Sequence, residues 1–361
     1  MTEANATESE ATKQEEPVAQ YSISAGFVHI LNRLNISIGV TSYQSGRLYL
    51  LGRNPKGGLM VNEQYFQKAM GLHFNGKTLF LATLANIYRM ENILAADQVM
   101  DNQFSDCFVP RTTHLTGVLD AHDVGVTKED KILFVNTRYN CIAEVSPTHS
   151  FKPHWKPDFI SKIVAEDRCH LNGMAMLDGA PKYVTAVSKS DTIDGWRDRR
   201  SDGGIIIDVE TDEVVCEGLS MPHSPRMYQG KLWVLNSGTG ELGWVDLSKK
   251  DPTQRFTPLV FCPGFVRGIA FYDKYAFVGL SKPRYERFEG LALDERLQQT
   301  DSEPWCGVQV INLLTGSCEE WFRIDGKIGE LYDVEVLPGL ICPRSYGFLT
   351  NDVLGIITIE D

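Results

Sequence analysis

Short apolar strands recur along the chain in pairs, and each pair is joined by a turn that contains Gly, Asp or Pro. A moderately apolar strand precedes each turn and a strongly apolar strand follows it, as in antiparallel hairpins. Helical periodicity is confined to residues 26–34 and 285–299. The pattern predicts an all-β fold built from one repeated unit. The units that can be aligned span residues 39–52, 69–83, 122–137, 172–188, 223–237, 267–281 and, more weakly, 332–341.

The spacing of these units predicts a single closed β-propeller. After the second unit begins, the starts of successive units lie 44 to 65 residues apart, which suits one four-stranded blade. The first interval is only 30 residues, and only 29 residues follow Tyr332. We therefore expect the two ends of the chain to complete one blade between them, which closes the ring and removes exposed edges. About seven blades are predicted, with six blades or an open all-β sandwich as alternatives.

Composition and charge are those of an ordinary globular protein. The chain has 361 residues, of which 43% are hydrophobic and 23% charged, so it can bury a sizeable core. Residues 1–20 hold five glutamates and one lysine. We expect a disordered acidic tail over 1–20 and the propeller over 21–361. The formal net charge of −12 argues against binding to nucleic acid or to a membrane surface.

Targeting signals and familiar catalytic motifs are absent from the sequence. No apolar run approaches the roughly 20 residues that span a bilayer, and no signal peptide is visible, so we expect a cytoplasmic protein. The eight cysteines are scattered, which predicts buried, reduced thiols. The sequence contains no nucleophile elbow, phosphate-binding loop or dinucleotide fingerprint, which argues against serine hydrolases, NTPases and dinucleotide-dependent oxidoreductases.

Polar residues stand at the start of several units, at positions where packing alone would require only small apolar residues. In a propeller, the entry to each innermost strand and the loop between the second and third strands lie at the same end of the channel. These residues should therefore converge there, and they either pair with one another and with channel water or form a functional site. They are His122 with Asp123, His170 with Asn172, His223 with Arg226, Arg267, and Glu330 with Tyr332 and Asp333.

Three histidines among them suggest two kinds of chemistry. Their imidazoles can bind one divalent metal, for which Zn, Fe or Mn would suit nitrogen ligands. Without a metal, they can act as general acids or bases, assisted by Glu330 or Tyr332. No local spacing motif fixes their geometry. The predicted metal ligands are His122, His170 and His223, with Asp123, Asn172 or Glu330 completing the shell.

Arginine and aromatic residues concentrate on the long loops of this otherwise acidic chain. Such side chains favour an anionic small molecule or an acidic peptide end, although ordinary surface ion pairing is an alternative. The loop over residues 188–204 is the richest in them, and residues 150–170 and 281–290 add more. The predicted substrate-binding residues are Trp196, Arg197, Arg226, Arg267 and Asn172.

Two functions remain open on this basis. The first is an enzyme of the hydrolase, lyase or isomerase type that acts on a small anionic metabolite or modified peptide at the channel mouth, with or without a metal. The second is a non-catalytic recognition module that binds a protein or peptide partner.

Several longer phrases of the sequence resemble a bacterial family of conserved hypothetical proteins, described as a domain of unknown function, some of whose members carry tetratricopeptide repeats. The most specific are CHLNGMAM (169–176) and MPHSPR (221–226), and the resemblance extends from about residue 26 to residue 345. The resemblance identifies no catalytic residue in this chain. The first phrase is also similar to a strand of calcium-dependent lactonase-like propellers. Only Asn172 matches their metal-binding asparagine, and His and Arg replace the expected carboxylates.

Overall fold

The computed structural model describes residues 19–285 and 287–360. Its helices are α1 (Phe27–Leu34) and α2 (Ala292–Gln299). Its strands up to the middle of the chain are β1 (Gln20–Ile23), β2 (Ile36–Ser42), β3 (Arg47–Arg53), β4 (Leu59–Tyr65), β5 (Leu72–Phe74), β6 (Thr78–Ala82), β7 (Asn86–Asn92), β8 (Asp106–Leu115), β9 (Ala121–Val126), β10 (Ile132–Asn136), β11 (Cys141–Glu144), β12 (Lys152–Trp155) and β13 (Leu171–Leu177). The remaining strands are β14 (Ala180–Ala186), β15 (Gly204–Asp208), β16 (Val214–Leu219), β17 (Pro222–Tyr228), β18 (Lys231–Asn236), β19 (Glu241–Val245), β20 (Phe256–Phe261), β21 (Phe265–Tyr272), β22 (Tyr275–Ser281), β23 (Cys306–Asn312), β24 (Cys318–Asp325), β25 (Val334–Pro338) and β26 (Pro343–Ser345).

These strands form six sheets that are the blades of a propeller. Blade 1 has the order β25-β2-β3-β4, and blades 2 to 6 begin at β5, β9, β13, β17 and β21 and run outward in chain order. The first strand of each blade contacts that of the next, and β21 of blade 6 contacts β25 of blade 1, so the ring is closed. The prediction of an all-β propeller is confirmed. The prediction of about seven blades is wrong, and the six-blade alternative is correct.

Blade 1 explains the error in the blade count. Its innermost strand β25 comes from the end of the chain and pairs antiparallel with β2, placing Ile38 opposite Val336. The first and last sequence units therefore belong to one sheet, and the expected closure by the two chain ends is confirmed. Strand β1 adds a fifth strand to blade 6 and β26 adds one to blade 2. Gln20, the last residue of the predicted tail, is the first residue of β1, and residues 1–18 of that tail lie outside the described residues.

Apolar layers between neighbouring blades hold the ring together. Strand β3 illustrates how one strand serves two layers, because successive side chains point to opposite faces. Leu48 and Leu50 pack toward blade 2, whereas Tyr49 and Leu51 pack toward blade 6. This two-sided burial explains why the second strand of each unit is apolar throughout. Where inner strands meet closely, Gly268 has a φ of 78°, and a Cβ there would lie 2.6 Å from the Cα of Asp333.

The helices lie outside the blades. The predicted helix over 26–34 is confirmed as α1, which buries Phe27, Ile30 and Leu31 against blades 1 and 6. Only the second half of the predicted segment 285–299 is helical, as α2. Within the described ranges, no helix is long and apolar enough to cross a membrane. All eight cysteines are free, and Cys318 alone among them is exposed.

Candidate functional site

One end of the channel holds a small polar cavity built by five blades. Its volume is about 10 Å³, which is room for about one water molecule. The first residues of the innermost strands, or residues just before them, supply the lining, so positions far apart in sequence meet here. Sequence-predicted residues provide most of it. The lining residues are His122, Asp123, Asn172, His223, Ser224, Arg267, Tyr332 and Asp333.

The hydrogen bonds of His122 determine which ring nitrogen carries the proton. Its Nδ1 lies 2.9 Å from the carbonyl oxygen of Asp120 and 2.7 Å from the hydroxyl oxygen of Thr137. That hydroxyl donates its own hydrogen to the carbonyl oxygen of Leu171 at 2.5 Å. Both neighbours of Nδ1 are therefore acceptors, and Nδ1 must be the donor. In the neutral ring, Nε2 then carries the lone pair, and the described residues give it no hydrogen-bond donor; the ring lines the cavity.

His223 repeats this arrangement two blades away. Its Nδ1 lies 2.9 Å from the carbonyl oxygen of Met221 and 3.1 Å from the hydroxyl oxygen of Ser237, which donates to the carbonyl oxygen of Val266 at 2.6 Å. Thr137 and Ser237 were not among the predicted site residues, although the sequence carries a signal for them. Five units end in a hydroxyl residue, namely Thr83, Thr137, Ser188, Ser237 and Ser281.

Both imidazoles are neutral at physiological pH. Burial, and after it the positive charge of Arg267, hold the pKa of His122 and of His223 well below the ordinary value of 6.5. Each ring therefore presents an unprotonated Nε2 to the cavity, which is the form of a general base.

Two hydrogen-bond donors in the same cavity have no partner in the described part of the chain. These are the hydroxyl of Tyr332 and Nδ2 of Asn172, on side chains only 4% and 3% exposed. Burial raises the pKa of Tyr332, so its phenol stays protonated. A buried polar group without a partner costs about 1–3 kcal/mol. The two donors therefore favour a ligand that accepts hydrogen bonds.

Arg267 supplies positive charge beside Tyr332. Its guanidinium carbon lies 3.8 Å from the centre of the Tyr332 ring, and its Nη1 lies 3.4 Å from Oε1 of Glu330. Arg284 donates to both carboxylate oxygens of Glu330, at 2.7 and 3.0 Å. Glu330, predicted to assist proton transfer, is thus placed as a counter-ion to two arginines and lies outside the cavity lining.

His170 lies at the edge of the site, with its ring centre 5.1 Å from that of His122. Its Nδ1 is 2.9 Å from Oδ2 of Asp167, which also accepts a 3.0 Å bond from Nε1 of Trp196. The indole ring packs 4.2 Å from the imidazole. Arg197 extends over the indole with its side chain 60% exposed. These contacts fasten the long loop between β14 and β15 to the channel mouth, and Asp167 belongs to the loop over residues 150–170 that was predicted to add to the pocket.

Metal binding finds little support in this geometry. Across residues 19–285 and 287–360, no group of three or more His, Cys, Asp or Glu side chains is placed to hold a metal ion. The hydrogen bonds at Nδ1 leave Nε2 as the nitrogen of His122 and His223 that could bind a metal. Since the described residues gather no such group, they do not form the predicted three-histidine metal centre.

Comparisons with known proteins agree with the fold. A nidogen/laminin complex matches with a TM-score of 0.51 and 11% identity over 84% of this chain and 99% of that chain. A gluconolactonase from Xanthomonas campestris gives 0.45 and 11% over 73% and 78%. A virginiamycin B lyase from Staphylococcus aureus gives 0.38 and 8% over 85% and 99%. At 11% identity the first likeness concerns the fold alone, and the other two, with TM-scores below 0.5, add nothing to it.

The sequence matches the model of one family. No curated protein gives a significant match. Residues 25–345 match the model of a family described as a domain of unknown function (DUF4915). The resemblance to a domain of unknown function is thereby confirmed.

Proposed function

We propose that this chain, which belongs to the family described as a domain of unknown function (DUF4915), is an enzyme that moves a proton on a small carboxylate-bearing molecule at the channel mouth. One observation carries the proposal. Two neutral imidazoles and a buried, unpartnered phenol face the same cavity. A base and an acid held together in this way suit a lyase or an isomerase.

The histidines supply the base. Nε2 of His122 or of His223 takes a proton from the carbon next to the substrate carboxylate. Because the hydrogen on Nδ1 is held by two acceptors, the ring cannot turn and the lone pair stays aimed at the substrate. Such preorganisation is worth more in a buried site than in water.

Tyr332 supplies the acid. In an elimination, the electron pair of the broken C–H bond forms the new C=C bond, and the leaving group departs from the next carbon with its bonding electrons. The leaving group takes the phenolic proton of Tyr332. The resulting phenolate is stabilised by the guanidinium of Arg267, and the proton on the imidazolium returns to it to restore the enzyme. In an isomerisation, the phenol returns a proton to the substrate carbon instead.

Arg267 and Asn172 hold the substrate. A carboxylate replaces the long contact of Arg267 with Glu330 and accepts a hydrogen bond from Nδ2 of Asn172. The cavity of about 10 Å³ has room for about one carboxylate oxygen, so the reacting carbons lie at its opening. The remainder then lies between the loop over residues 187–203 and the described parts, 282–285 and 287–291, of the segment that precedes α2.

Hydrogen–deuterium exchange tests the proposal. A panel of small hydroxy, amino and unsaturated carboxylates is incubated with the protein in D₂O and followed by proton NMR. We expect the C–H signal next to the carboxylate to disappear for at least one compound. Exchange should slow by about 10²- to 10⁴-fold in Tyr332→Phe and stop in the double variant His122→Phe with His223→Phe. His149→Phe, which changes an exposed histidine on the outside of blade 3, should exchange at the wild-type rate.

Two results contradict the proposal. The first is that the wild-type protein catalyses hydrogen–deuterium exchange in no compound of the panel. The other is exchange that continues undiminished in the double histidine variant, which would assign it to another part of the protein or to the solvent.

A recognition module is the second candidate, and the small cavity favours it. A peptide can lie across the mouth without entering a space of 10 Å³, and the rim offers Arg197 and Arg284 with side chains 60% and 63% exposed. This function predicts that an acidic peptide binds the wild type and His223→Phe equally. Arg197→Gln with Arg284→Gln should weaken that binding. Deuterium exchange that depends on both histidines would instead support the enzyme.

A further inference from the structure

A second aromatic ring lies above Tyr332 on one wall of the mouth. Tyr43, from the turn between β2 and β3, stacks on Tyr332 with ring centres 5.8 Å apart and planes inclined by 25°. Lys68, from the connection between β4 and β5, donates a 2.8 Å hydrogen bond from Nζ to the Tyr43 hydroxyl and lies 4.8 Å from that ring's centre. This wall therefore continues from the cavity to the rim.

The ammonium group of Lys68 has spare binding capacity. In the described part of the chain it meets the phenol of Tyr43 and is not in an ion pair with any carboxylate. An ammonium has three hydrogens, so two remain for a ligand. The backbone of Lys68 has a φ of 51°, a left-handed conformation that is uncommon for lysine.

Arg284 adds a second cation to the same wall. Its guanidinium donates hydrogen bonds to both carboxylate oxygens of Glu330, and its side chain is 63% exposed. Glu330 is already shared between Arg284 and Arg267. The rim thus holds more positive charge than that carboxylate can neutralise.

We propose that Lys68, Tyr43 and Arg284 form a second anion subsite, so that the substrate carries two anionic groups. This inference rests on the proposed function. The first carboxylate binds Arg267 beside the histidines. The second group, a carboxylate or a phosphate, binds Lys68 and the exposed face of Arg284 at the rim. Charge-assisted hydrogen bonds are the stronger kind, and about 1.4 kcal/mol corresponds to a tenfold gain in affinity.

Calorimetric titration with three simple acids tests this subsite. Butyrate carries one carboxylate, succinate carries two, and 3-phosphonopropionate carries a carboxylate and a phosphonate. We expect wild-type protein to bind at least one of the two dianions about tenfold more tightly than butyrate. Whichever of succinate and 3-phosphonopropionate binds more tightly shows whether the rim prefers a carboxylate or a phosphate-like group. In Lys68→Met the ratio of dianion to butyrate affinity should fall close to one, and Tyr43→Phe should reduce it by a smaller factor.

Two controls accompany the variants. Lys77→Met removes an exposed lysine from the turn between β5 and β6, at the opposite end of the channel, and should keep the wild-type ratio. Lys68→Gly suits the left-handed backbone, so its melting temperature separates loss of binding from loss of folding.

Equal affinity for butyrate and both dianions, with proton exchange intact, overturns the second subsite and leaves the proposed function standing. An unchanged ratio in a folded Lys68→Met protein does the same. If no acid binds and no exchange occurs, both proposals fail.

Discussion

Arg226 and Asp123 form a two-point ion pair inside the channel, with Nη1 2.7 Å from Oδ2 and Nη2 3.2 Å from Oδ1. They belong to the innermost strands of blades 5 and 3, and Nη2 also lies 3.7 Å from Oδ1 of Asp333 in blade 1. One guanidinium therefore links three alternate blades next to the cavity. Arg226 was predicted to bind substrate, but its charge faces carboxylates of the chain itself, which leaves Arg267 as the arginine in the cavity lining.

Replacing Arg226 should destabilise the ring. Arg226→Met leaves Asp123 and Asp333 buried without their counter-ion, and removing one partner of a buried pair costs about 3–5 kcal/mol. Urea unfolding measures the loss. Arg287→Met, which removes an exposed arginine paired loosely with Glu289, should change stability by less than about 0.5 kcal/mol. A loss below 1 kcal/mol in Arg226→Met would show that the link does not support the fold.

The channel carboxylates should make stability fall as pH rises. Burial raises the pKa of Glu335 to about 8 and that of Asp333 to about 7. The folded-state pKa values exceed the unfolded-state values, which lie near 4. The protonated carboxyls therefore contribute their full stabilisation below about pH 4, and this contribution is lost as the pH rises toward 8. Phe74, Arg226, Asp123 and His73 face these groups.

Glu335→Gln should remove part of that dependence. We compare the melting temperature of the variant with that of wild type at each pH. This difference should be roughly 3 °C more favourable to the variant at pH 8 than at pH 5. Glu213→Gln, at an exposed position in blade 4, should follow wild type at both values. Parallel curves for Glu335→Gln and wild type would mean that Glu335 is ionised throughout.

Nitrogen NMR should reveal the same tautomer in His122 and His223. Because each Nδ1 donates to two acceptors, we expect an unprotonated Nε2 in both rings at pH 6. Thr137→Val removes one acceptor from His122 and leaves the carbonyl of Leu171 without its donor. It should change the His122 signals, destabilise the protein by about 1–2 kcal/mol and leave His223 unaltered as an internal control. Hydrogen on Nε2 of either ring would remove that ring as the base.

Trp196 should hold the loop over residues 187–203 closed. Trp196→Phe keeps the ring contact with His170 but loses the bond to the Asp167 carboxylate, an interaction of about 1.5–3 kcal/mol. The loop should open at least about tenfold more often and be cleaved faster by trypsin at its exposed arginines. Trp244→Phe, in blade 5, is the matched control. Equal cleavage rates in both variants would show that the indole does not fasten the loop.

Much of the fold could be predicted because its unit is local. A hairpin joins strands adjacent in sequence, so alternation of side chains and turn residues already defines it. The short first interval also indicated that the chain ends share a blade. The blade count could not be obtained in this way, since it depends on β25 pairing with β2 across nearly the whole chain. No local pattern near residue 334 distinguishes a strand that starts a new blade from one that completes the first.

The convergence of His122, His223, Arg267 and Tyr332 followed from their shared position at the start of innermost strands, so the sequence alone determined that they would lie near one another. Only the tertiary structure decided what each of them does. The tautomer of His122 depends on Thr137 and on a carbonyl in the next blade, and the partner of Arg226 lies 103 residues away. Hydrogen bonds and ion pairs act over a few ångströms, so the neighbours that assign a charge or a proton exist only once the ring has closed.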